Sequence, residues 1–304
     1  IVIKVLGRRV DFRVSSLPTV FGEKIVIRVL DQSAVMVGLE KIGFEAEDKA
    51  LLEDILKVPY GIILVTGPTG SGKSTTLYSM LERLNRPEVN IITVEDPVEY
   101  HIQGINQVQV NERAGLTFAE SLRSILRQDP DKIMLGEIRD MVTAEMAIRA
   151  ALTGHTVLST LHTNDAPSSI IRLIDMGVAP FLVSSSMMAA IAQRLVRRLC
   201  TQCKESYTLP QALCDSLGFP PDTVAYRPVG CEACRNSGFK GRTAIFEIMV
   251  VNDEMRNLIV RGAPLSEIRS LAIQEGMRTL RDQGLRKVKS GVSSLEEVLF
   301  VTMG

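Results

Sequence analysis

Apolar runs alternate with helix-like amphipathic stretches through the middle of the chain. Apolar runs that read as buried strands occur at 62–66, 90–94, 133–135 and 156–160. Helical spacing of apolar residues begins after these runs at Ser74, Thr117, Thr143 and Ala166. Strands that alternate with helices in this way predict an α/β fold with a mostly parallel sheet covered by helices on both faces. Polar residues that follow each strand should then meet at the carboxyl edge of the sheet.

The two ends of the chain have different patterns. Residues 10–14 and 25–29 alternate between apolar and polar positions, which predicts two strands at the end of a β-rich domain. Because the chain begins at Ile1 inside such a pattern, we expect further sequence before it, and a linker at 31–36. From Asp253 on, the apolar stripes predict three or four helices. Leu285 and Val288 form one stripe, and it continues through Leu295, Val298, Leu299 and Met303.

Three other stretches give specific predictions. A helical pattern starts at Leu39 and continues through apolar residues at 51, 52, 55 and 56. Residues 181–196 are apolar but are interrupted by serines, Gln193 and Arg194, which predicts a buried helix rather than a membrane span. Residues 238–242 predict a turn before a strand at 245–250.

Composition narrows the class of protein. The 304 residues include 35 basic and 35 acidic ones, and 45% are hydrophobic, which suits one or two domains with a substantial core. A balanced charge argues against a dedicated nucleic-acid binder, which usually carries a basic excess. Five cysteines in a chain without secretory features favour a reducing compartment, and hence a metal site or free thiols rather than disulfides.

The segment GPTGSGKS at 67–74 matches the phosphate-binding loop pattern G-x-x-x-x-G-K-[ST] in full. A strand precedes it and a helix follows it, as the motif requires. In this arrangement backbone N–H groups surround a phosphate, Lys73 reaches the β- and γ-phosphates, and the Ser74 hydroxyl binds Mg²⁺. We therefore expect ATP and Mg²⁺ at Gly67, Pro68, Thr69, Gly70, Ser71, Gly72, Lys73, Ser74 and Thr75.

Acidic and histidine residues follow three other predicted strands. Glu95 lies in ITVEDPVEY, and Glu137 lies in KIMLGEIRD, where Gly136 stands at the position of the usual Mg²⁺-linked aspartate. His162 lies in TGHTVLSTLHTN, together with His155, for which a structural role is the more frequent one. Each motif alone has a bland interpretation as a solvated turn, but their positions at neighbouring strand ends predict one active site.

The cysteines form two C-x₂-C pairs. Cys200 and Cys203 form the first pair, and Cys231 and Cys234 form the second. Four thiolates in this pattern suit tetrahedral Zn²⁺ in a closed structural site. The spacer, residues 204–230, is longer than the usual spacing of roughly 15 to 20 residues, which predicts an excursion with a short helix near 210–217. Cys214 lies in that excursion, and we expect it to be a free thiol.

These blocks, in this order, resemble the ATPases of type II secretion and type IV pilus assembly. The resemblance covers essentially the whole chain, including RVSSLPTVFGEKIVIRVL and SLRSILRQDPD. It implies a RecA-like motor core after the last strands of a PAS-like N-terminal domain. The expected divisions are 1–35 for the remnant and linker, 36–198 for the core, 199–240 for the zinc element and 241–304 for a helical subdomain.

The family resemblance also implies functional details. Such proteins are homo-hexameric, cytoplasmic and peripheral to the bacterial inner membrane, where a platform protein and a membrane adaptor are their partners. Arg13 and Arg28, together with Arg123 and Arg127, correspond to arginines that neutralise phosphate charge, some of them across subunits. Pattern alone would leave Arg13 and Arg28 merely solvated. The tetracysteine motif favours assembly over retraction.

The roles within the predicted site leave alternatives open. Our hypothesis is that Glu95 orients or deprotonates the attacking water and that Glu137 holds Mg²⁺, with the reverse assignment nearly equal. His162 is expected to sense the γ-phosphate or to connect the site to a subunit interface. Two other functions compete with a secretion or pilus ATPase, namely a nucleic-acid translocating or conjugation-type motor and a small-molecule kinase. The chain has no Trp for base stacking and no signal for an acceptor pocket.

Overall fold

The computed structural model describes residues 2–5, 8–31 and 38–303, and within the first three strands it describes the side chains of residues 12, 14–27 and 29. The strands are β1 Val2–Val5, β2 Arg8–Thr19, β3 Gly22–Asp31, β4 Gly61–Thr66, β5 Ile91–Glu95, β6 Asn106–Gln109, β7 Lys132–Leu135, β8 Thr156–Leu161, β9 Met187–Leu199, β10 Glu205–Thr208, β11 Val224–Arg227 and β12 Phe239–Val250. The helices are α1 Ala46–Lys57, α2 Lys73–Leu84, α3 Phe118–Ile125, α4 Met141–Leu152, α5 Ser168–Asp175, α6 Pro180–Ser186, α7 Gln211–Leu217, α8 Asp253–Val260, α9 Leu265–Gln274, α10 Leu280–Lys289 and α11 Leu295–Thr302.

One large sheet organises the described part of the chain. Its seven strands lie in the order β12-β9-β4-β8-β7-β5-β6. All neighbours pair in parallel except β12, which runs antiparallel to β9 at one edge. The predicted α/β fold with a mostly parallel sheet is confirmed. Because the strands β4, β5, β7 and β8 are parallel, their carboxyl ends meet along one edge, where the predicted chemistry lies.

Alternating residues of the sheet face two separate cores. Ile62 and Leu64 of β4 belong to one core cluster, which also receives apolar residues from α3 to α6 and α8 to α11. Ile63 and Val65 belong to the other, which packs against α1 and α2. Side chains of successive strand residues point to opposite faces, so an apolar run without alternation is what a strand covered on both faces requires.

The first three strands form a separate antiparallel sheet in the order β1-β2-β3. Arg13 of β2 pairs with Arg28 of β3 across the hairpin. The two predicted strands are thus confirmed, although their side chains at 13 and 28 lie outside the described residues. The predicted linker at 31–36 also lies outside them from residue 32 onward. The four predicted divisions of the chain stay predictions, but the main sheet itself continues into β12.

The prediction of one helix at 181–196 is wrong. The helix α6 ends at Ser186, and Met187 begins the long strand β9. β9 lies between β4 and β12, so residues such as Ala190 and Ile191 are buried on both faces and give a continuous apolar run. Such a run has no periodicity that separates a buried strand from a buried helix, because both are apolar on every side.

Smaller boundary predictions also fail. The segment after Leu39 forms turns, and α1 begins only at Ala46. The strand β12 begins at Phe239, inside the predicted turn, and its register with β9 shifts between Phe239 and Arg242. Such a shift accommodates Gly241 in a bulge-like irregularity without ending the strand. Met303 is 80% exposed, so it does not belong to the predicted apolar stripe.

The excursion between the cysteine pairs contains the predicted short helix, α7, flanked by the antiparallel strands β10 and β11. The prediction of three or four C-terminal helices is confirmed, with α8 to α11 forming four. Over residues 2–5, 8–31 and 38–303, every helix is too short or too polar to cross a bilayer.

Candidate nucleotide-binding site

The phosphate-binding loop joins the buried strand β4 to the helix α2. Gly72 caps α2 in the left-handed region with φ of 91°, which a residue without a Cβ adopts at little cost. The ammonium group of Lys73 donates hydrogen bonds to the carbonyl oxygens of Gly67 at 2.8 Å and Pro68 at 3.2 Å. Lys73 therefore folds back over the loop, in the position where a bound phosphate would compete for its protons.

Close packing explains why the loop starts with glycine. A Cβ at Gly67 would lie 2.6 Å from both the carbonyl oxygen of Gln193 and the hydroxyl of Ser71. The Ser71 hydroxyl is a buried polar atom without a hydrogen-bond partner in the described part of the chain. An orphaned buried donor inside the loop fits a site that expects an anionic ligand, because unsatisfied buried groups are costly.

Gln193 of β9 holds the phosphate-binding loop and the start of α2 by hydrogen bonds, and sequence analysis did not identify it as a residue of the site. Its side-chain oxygen accepts a hydrogen bond from the Thr76 hydroxyl at 2.7 Å, and its side-chain amide donates to the carbonyl of Ser71 at 2.9 Å. Gln193 is 2% exposed. The only sequence signal was a polar residue inside an apolar run, which became meaningful once that run proved to be a central strand.

Glu95 lies at the end of β5 and is buried. Its carboxylate accepts hydrogen bonds from the hydroxyl of Thr93 at 2.6 Å, from the side-chain amide of Gln107 at 3.1 Å and from the hydroxyl of Tyr78. Burial and the bond to this carboxylate raise the pKa of Tyr78 far above its usual value, so Tyr78 stays a proton donor. Tyr78 also packs edge-on against Tyr100. The network fixes Glu95 in one orientation.

Glu137 follows β7 and is more accessible than Glu95. Its carboxylate contacts Arg139 and lies 3.3 Å from Nε2 of His162. Burial alone would raise the pKa of Glu137, but the hydrogen bond and charge of Arg139, with a smaller contribution from His162, bring it below its usual value. The carboxylate is thus ionised at neutral pH. His162 and Glu137, predicted as site residues, lie together at the carboxyl edge.

The glycine before Glu137 lies close to the other acid. A Cβ at Gly136 would be 3.4 Å from the carbonyl oxygen of Val94 and 3.5 Å from the Cα of Glu95. These distances are ordinary van der Waals contacts, so position 136 packs directly against the end of β5, next to the backbone of Glu95.

Burial lowers the pKa of Lys73, since an ammonium group is less well solvated there, and Glu137 partly offsets this effect. Arg194 acts in the same direction as burial. The charges of Lys73, Glu137 and Arg194 therefore influence one another at this edge. The residues present suit Mg²⁺ at Ser74 and Glu137, because a hydroxyl and an ionised carboxylate are hard oxygen ligands.

Other predicted residues lie elsewhere or are only partly described. His155 contacts the carbonyl oxygen of Ala150 at 2.9 Å, which fits the structural role. Arg123 and Arg127 are exposed. The helix α3 ends at Ile125, so Arg127 lies in the turn that follows it. The side chains of Arg13 and Arg28 lie outside the described residues.

The four predicted zinc ligands come together. The sulfur atoms of Cys200, Cys203, Cys231 and Cys234 all lie within 4.8 Å of one another. The sulfur atoms of Cys200 and Cys231 are 3.8 Å apart, and so are those of Cys203 and Cys234. Tetrahedral Zn²⁺ with Zn–S bonds of about 2.3 Å separates its sulfurs by about 3.8 Å. The donor set and its spacing therefore fit Zn²⁺.

Backbone groups surround this cluster. The N–H of Gly230 donates to the sulfur of Cys203 at 3.3 Å, and the N–H of Gly238 donates to that of Cys234 at 3.3 Å. Such bonds stabilise thiolate charge next to a metal. Cys214 is buried in α7 and is not part of the cluster.

Two further residues of the site escaped sequence analysis. Arg139 bridges Glu137 and Asp96, and Arg194 reaches Asn164 from β9. The one available signal for Arg139 was its closeness in sequence to Glu137.

The parallel sheet, the phosphate-binding loop and the acids at its carboxyl edge define a P-loop nucleotide-binding protein.

The sequence profile of the type II/IV secretion system protein family matches residues 1–300. The chain belongs to this family. It is similar to the type IV pilus assembly ATPase PilB of Myxococcus xanthus, at 52% identity over 299 residues, which are 96% of this chain and 53% of that protein. It is also 52% identical over 302 residues to type II secretion system protein E of Pseudomonas aeruginosa, covering 99% of this chain and 60% of that protein.

A solved structure supports the fold. The pilus retraction motor PilT with bound ADP superimposes with a TM-score of 0.73 at 30% identity, covering 100% of this chain and 77% of that one. The chain spans between half and two thirds of the length of PilB and of protein E. The resemblance to secretion and pilus ATPases, the α/β fold, the cysteine cluster and the C-terminal helices are therefore all confirmed.

Proposed function

We propose that this chain carries the ATP-hydrolysing site of a motor that assembles a type II secretion pseudopilus or a type IV pilus. The observation that carries the proposal is that Lys73, Glu95, Glu137 and His162 lie at or after the carboxyl ends of β4, β5, β7 and β8, which are parallel strands of one sheet. The similarity to PilB and to protein E, each at 52% identity, supports the coupling to assembly.

In this proposal Lys73 and the loop amides bind the phosphates, and Ser74 and Glu137 hold Mg²⁺. The metal supplies positive charge that neutralises the β- and γ-phosphates. We assign Glu137 to Mg²⁺ because its carboxylate is ionised and is more accessible than that of Glu95. Glu95 orients the attacking water, for which it must exchange one of its protein donors for that water. Four arginines neutralise phosphate charge, some of them across a subunit boundary, namely Arg13, Arg28, Arg123 and Arg127.

The assembly and its surroundings belong to the same proposal. We infer a homo-hexamer in the cytoplasm, held at the inner membrane by a platform protein and a membrane adaptor. The cysteine cluster holds Zn²⁺ and supports assembly rather than retraction as the task. Analytical ultracentrifugation of the full-length protein with and without nucleotide tests the hexamer, and a monomer under both conditions would contradict it.

Steady-state release of phosphate tests the catalytic proposal. Lys73→Ala should remove nucleotide binding, whereas Glu95→Gln and Glu137→Gln should keep ADP binding and lower turnover by at least about 100-fold, the range for general-base catalysis. The Mg²⁺ concentration that gives half-maximal activity distinguishes the two acids. It should rise in Glu137→Gln, which loses the metal ligand, and stay unchanged in Glu95→Gln. Full turnover by Glu95→Gln would refute its role.

Two controls address the competing functions. A nucleic-acid motor would show turnover that DNA stimulates and that falls steeply with salt. A small-molecule kinase would require an acceptor, so release of ADP and phosphate in a one-to-one ratio without an acceptor excludes it. We expect one-to-one release with no effect of DNA.

A further inference from the structure

Arg194 is a half-buried cation whose hydrogen bonds go to neutral oxygen atoms. Its guanidinium donates to the carbonyl oxygen of Gln193 at 3.1 Å, and to the carbonyl and side-chain oxygens of Asn164 at 3.0 and 3.2 Å. Within the described part of the chain it forms no ion pair, and Glu247 and Asp165 attract it only at longer range. A partly desolvated charge without a counter-ion is costly, so its retention needs a reason.

The position of Arg194 supplies that reason. The Gln193 carbonyl oxygen that accepts its hydrogen bond is the atom that lies 2.6 Å from where a Cβ of Gly67 would be. Lys73 donates to the carbonyl of Gly67 from within the loop. Lys73 thus contacts the first residue of the phosphate-binding loop directly, and Arg194 contacts a carbonyl group of β9 that packs against the same residue.

The second contact of Arg194 leads to the same place. Asn164 follows Thr163, whose hydroxyl donates to the hydroxyl of Thr66 at 2.9 Å, and Thr66 immediately precedes Gly67. Both hydrogen-bond partners of the guanidinium are thus connected to the start of the loop. Gln193 packs against Gly67, and Asn164 is adjacent to Thr163, which bonds Thr66. The charges of Arg194 and Lys73 repel each other, and an anion bound close to both would relieve this repulsion.

We propose that Arg194 is a phosphate-binding residue of the same subunit, which contacts the terminal phosphate of ATP together with Lys73. The inference rests on the proposed function, because it assumes that the loop binds ATP. When the guanidinium turns to the phosphate, it gives up hydrogen bonds to Asn164. The segment that carries His162 then responds to the presence of the γ-phosphate, which ADP lacks.

A purely structural role for Arg194 would give a different pattern of affinities. As a tether of Asn164 alone, it would influence ATP and ADP binding equally. As a γ-phosphate ligand, it should act mainly on ATP, because a charge-assisted hydrogen bond to phosphate is made only with ATP.

The test compares the affinities of the full-length protein for ADP and for the non-hydrolysable analogue AMP-PNP by isothermal titration calorimetry. Arg194→Gln keeps amide hydrogens for Asn164 but removes the charge, and Arg194→Lys keeps the charge. Arg198→Gln is the matched control, since Arg198 is exposed on the same strand, four residues further along. Circular dichroism verifies the fold of every variant.

We expect Arg194→Gln to weaken AMP-PNP binding about 10- to 100-fold, the effect of losing a hydrogen bond between charged groups, and to weaken ADP binding less than about threefold. Arg194→Lys should recover most of the loss, and Arg198→Gln should resemble the wild type. Equal weakening of both nucleotides, or no change in either, overturns the inference. If the wild type binds neither nucleotide, the proposed function fails instead.

Discussion

The support of the phosphate-binding loop by Gln193 gives a sharp prediction. The substitution Gln193→Met keeps a long unbranched side chain but removes both hydrogen bonds of the amide. The Thr76 hydroxyl and the Ser71 carbonyl, bonded at 2.7 and 2.9 Å in the wild type, then lose their partner. An unsatisfied buried polar group costs about 1 to 3 kcal/mol, so the two together should lower the free energy of unfolding by about 2 to 6 kcal/mol.

A double-mutant cycle with Thr76→Val isolates the direct contact. Valine replaces the hydroxyl by a methyl group of similar shape, so the double variant no longer contains an unpaired hydroxyl at 76. The double variant should therefore lose at least about 1 kcal/mol less than the sum of the single variants, as expected for residues in contact. Urea unfolding followed by circular dichroism measures all four proteins. A loss below about 0.5 kcal/mol for Gln193→Met, or strict additivity, would refute the reasoning.

Three further predictions concern the loop, the cysteines and pH. Gly67→Ala should abolish ADP binding, because its Cβ would lie 2.6 Å from two atoms of the protein. Gly70→Ala, where the Cβ meets open space and φ is 81°, should lower the free energy of unfolding by only about 1 to 2 kcal/mol. Equal ADP affinities of the two variants would contradict this prediction. Native mass spectrometry should find one Zn²⁺ per chain, absent in Cys203→Ser and present in Cys214→Ala, and zinc-free wild type with an unchanged thermal midpoint would exclude a structural metal. Burial raises the pKa of Glu247 above its reference value of 4.5, so its favourable contribution is complete below pH 4.5 and is lost as the pH rises through the folded-state pKa. The stability of the wild type relative to Glu247→Gln should therefore increase as the pH falls from neutral, and a difference independent of pH would be the contrary result.

Glu247 connects two parts of the chain that lie far apart in sequence. This buried residue of β12 accepts hydrogen bonds from the backbone N–H groups of Ala166 and Leu280. Ala166 lies between β8 and α5, after His162, and Leu280 begins α10. The side chain thus links the segment after β8 to the C-terminal helices.

Local sequence determined the parts of this protein that depend on neighbouring residues. The loop at 67–74 could be read because a phosphate cradle needs glycines and a lysine at fixed spacing. The cysteine cluster could be predicted because each C-x₂-C pair has the spacing that lets two sulfurs bind one ion. The strands β4, β5, β7 and β8 could be read because each is a short apolar run followed by polar residues.

Only the tertiary structure decided the remainder. The strand β9 could not be distinguished from a helix, because burial on both faces removes the periodicity that separates them. Without β9 in the sheet, nothing in the sequence connects Gln193 to Ser71 or Arg194 to Asn164, residues that lie far apart along the chain. The network around Glu95 likewise depends on Tyr78 and Gln107, which come from different elements. Long-range contacts of this kind arise from strand order, which local residue patterns do not encode.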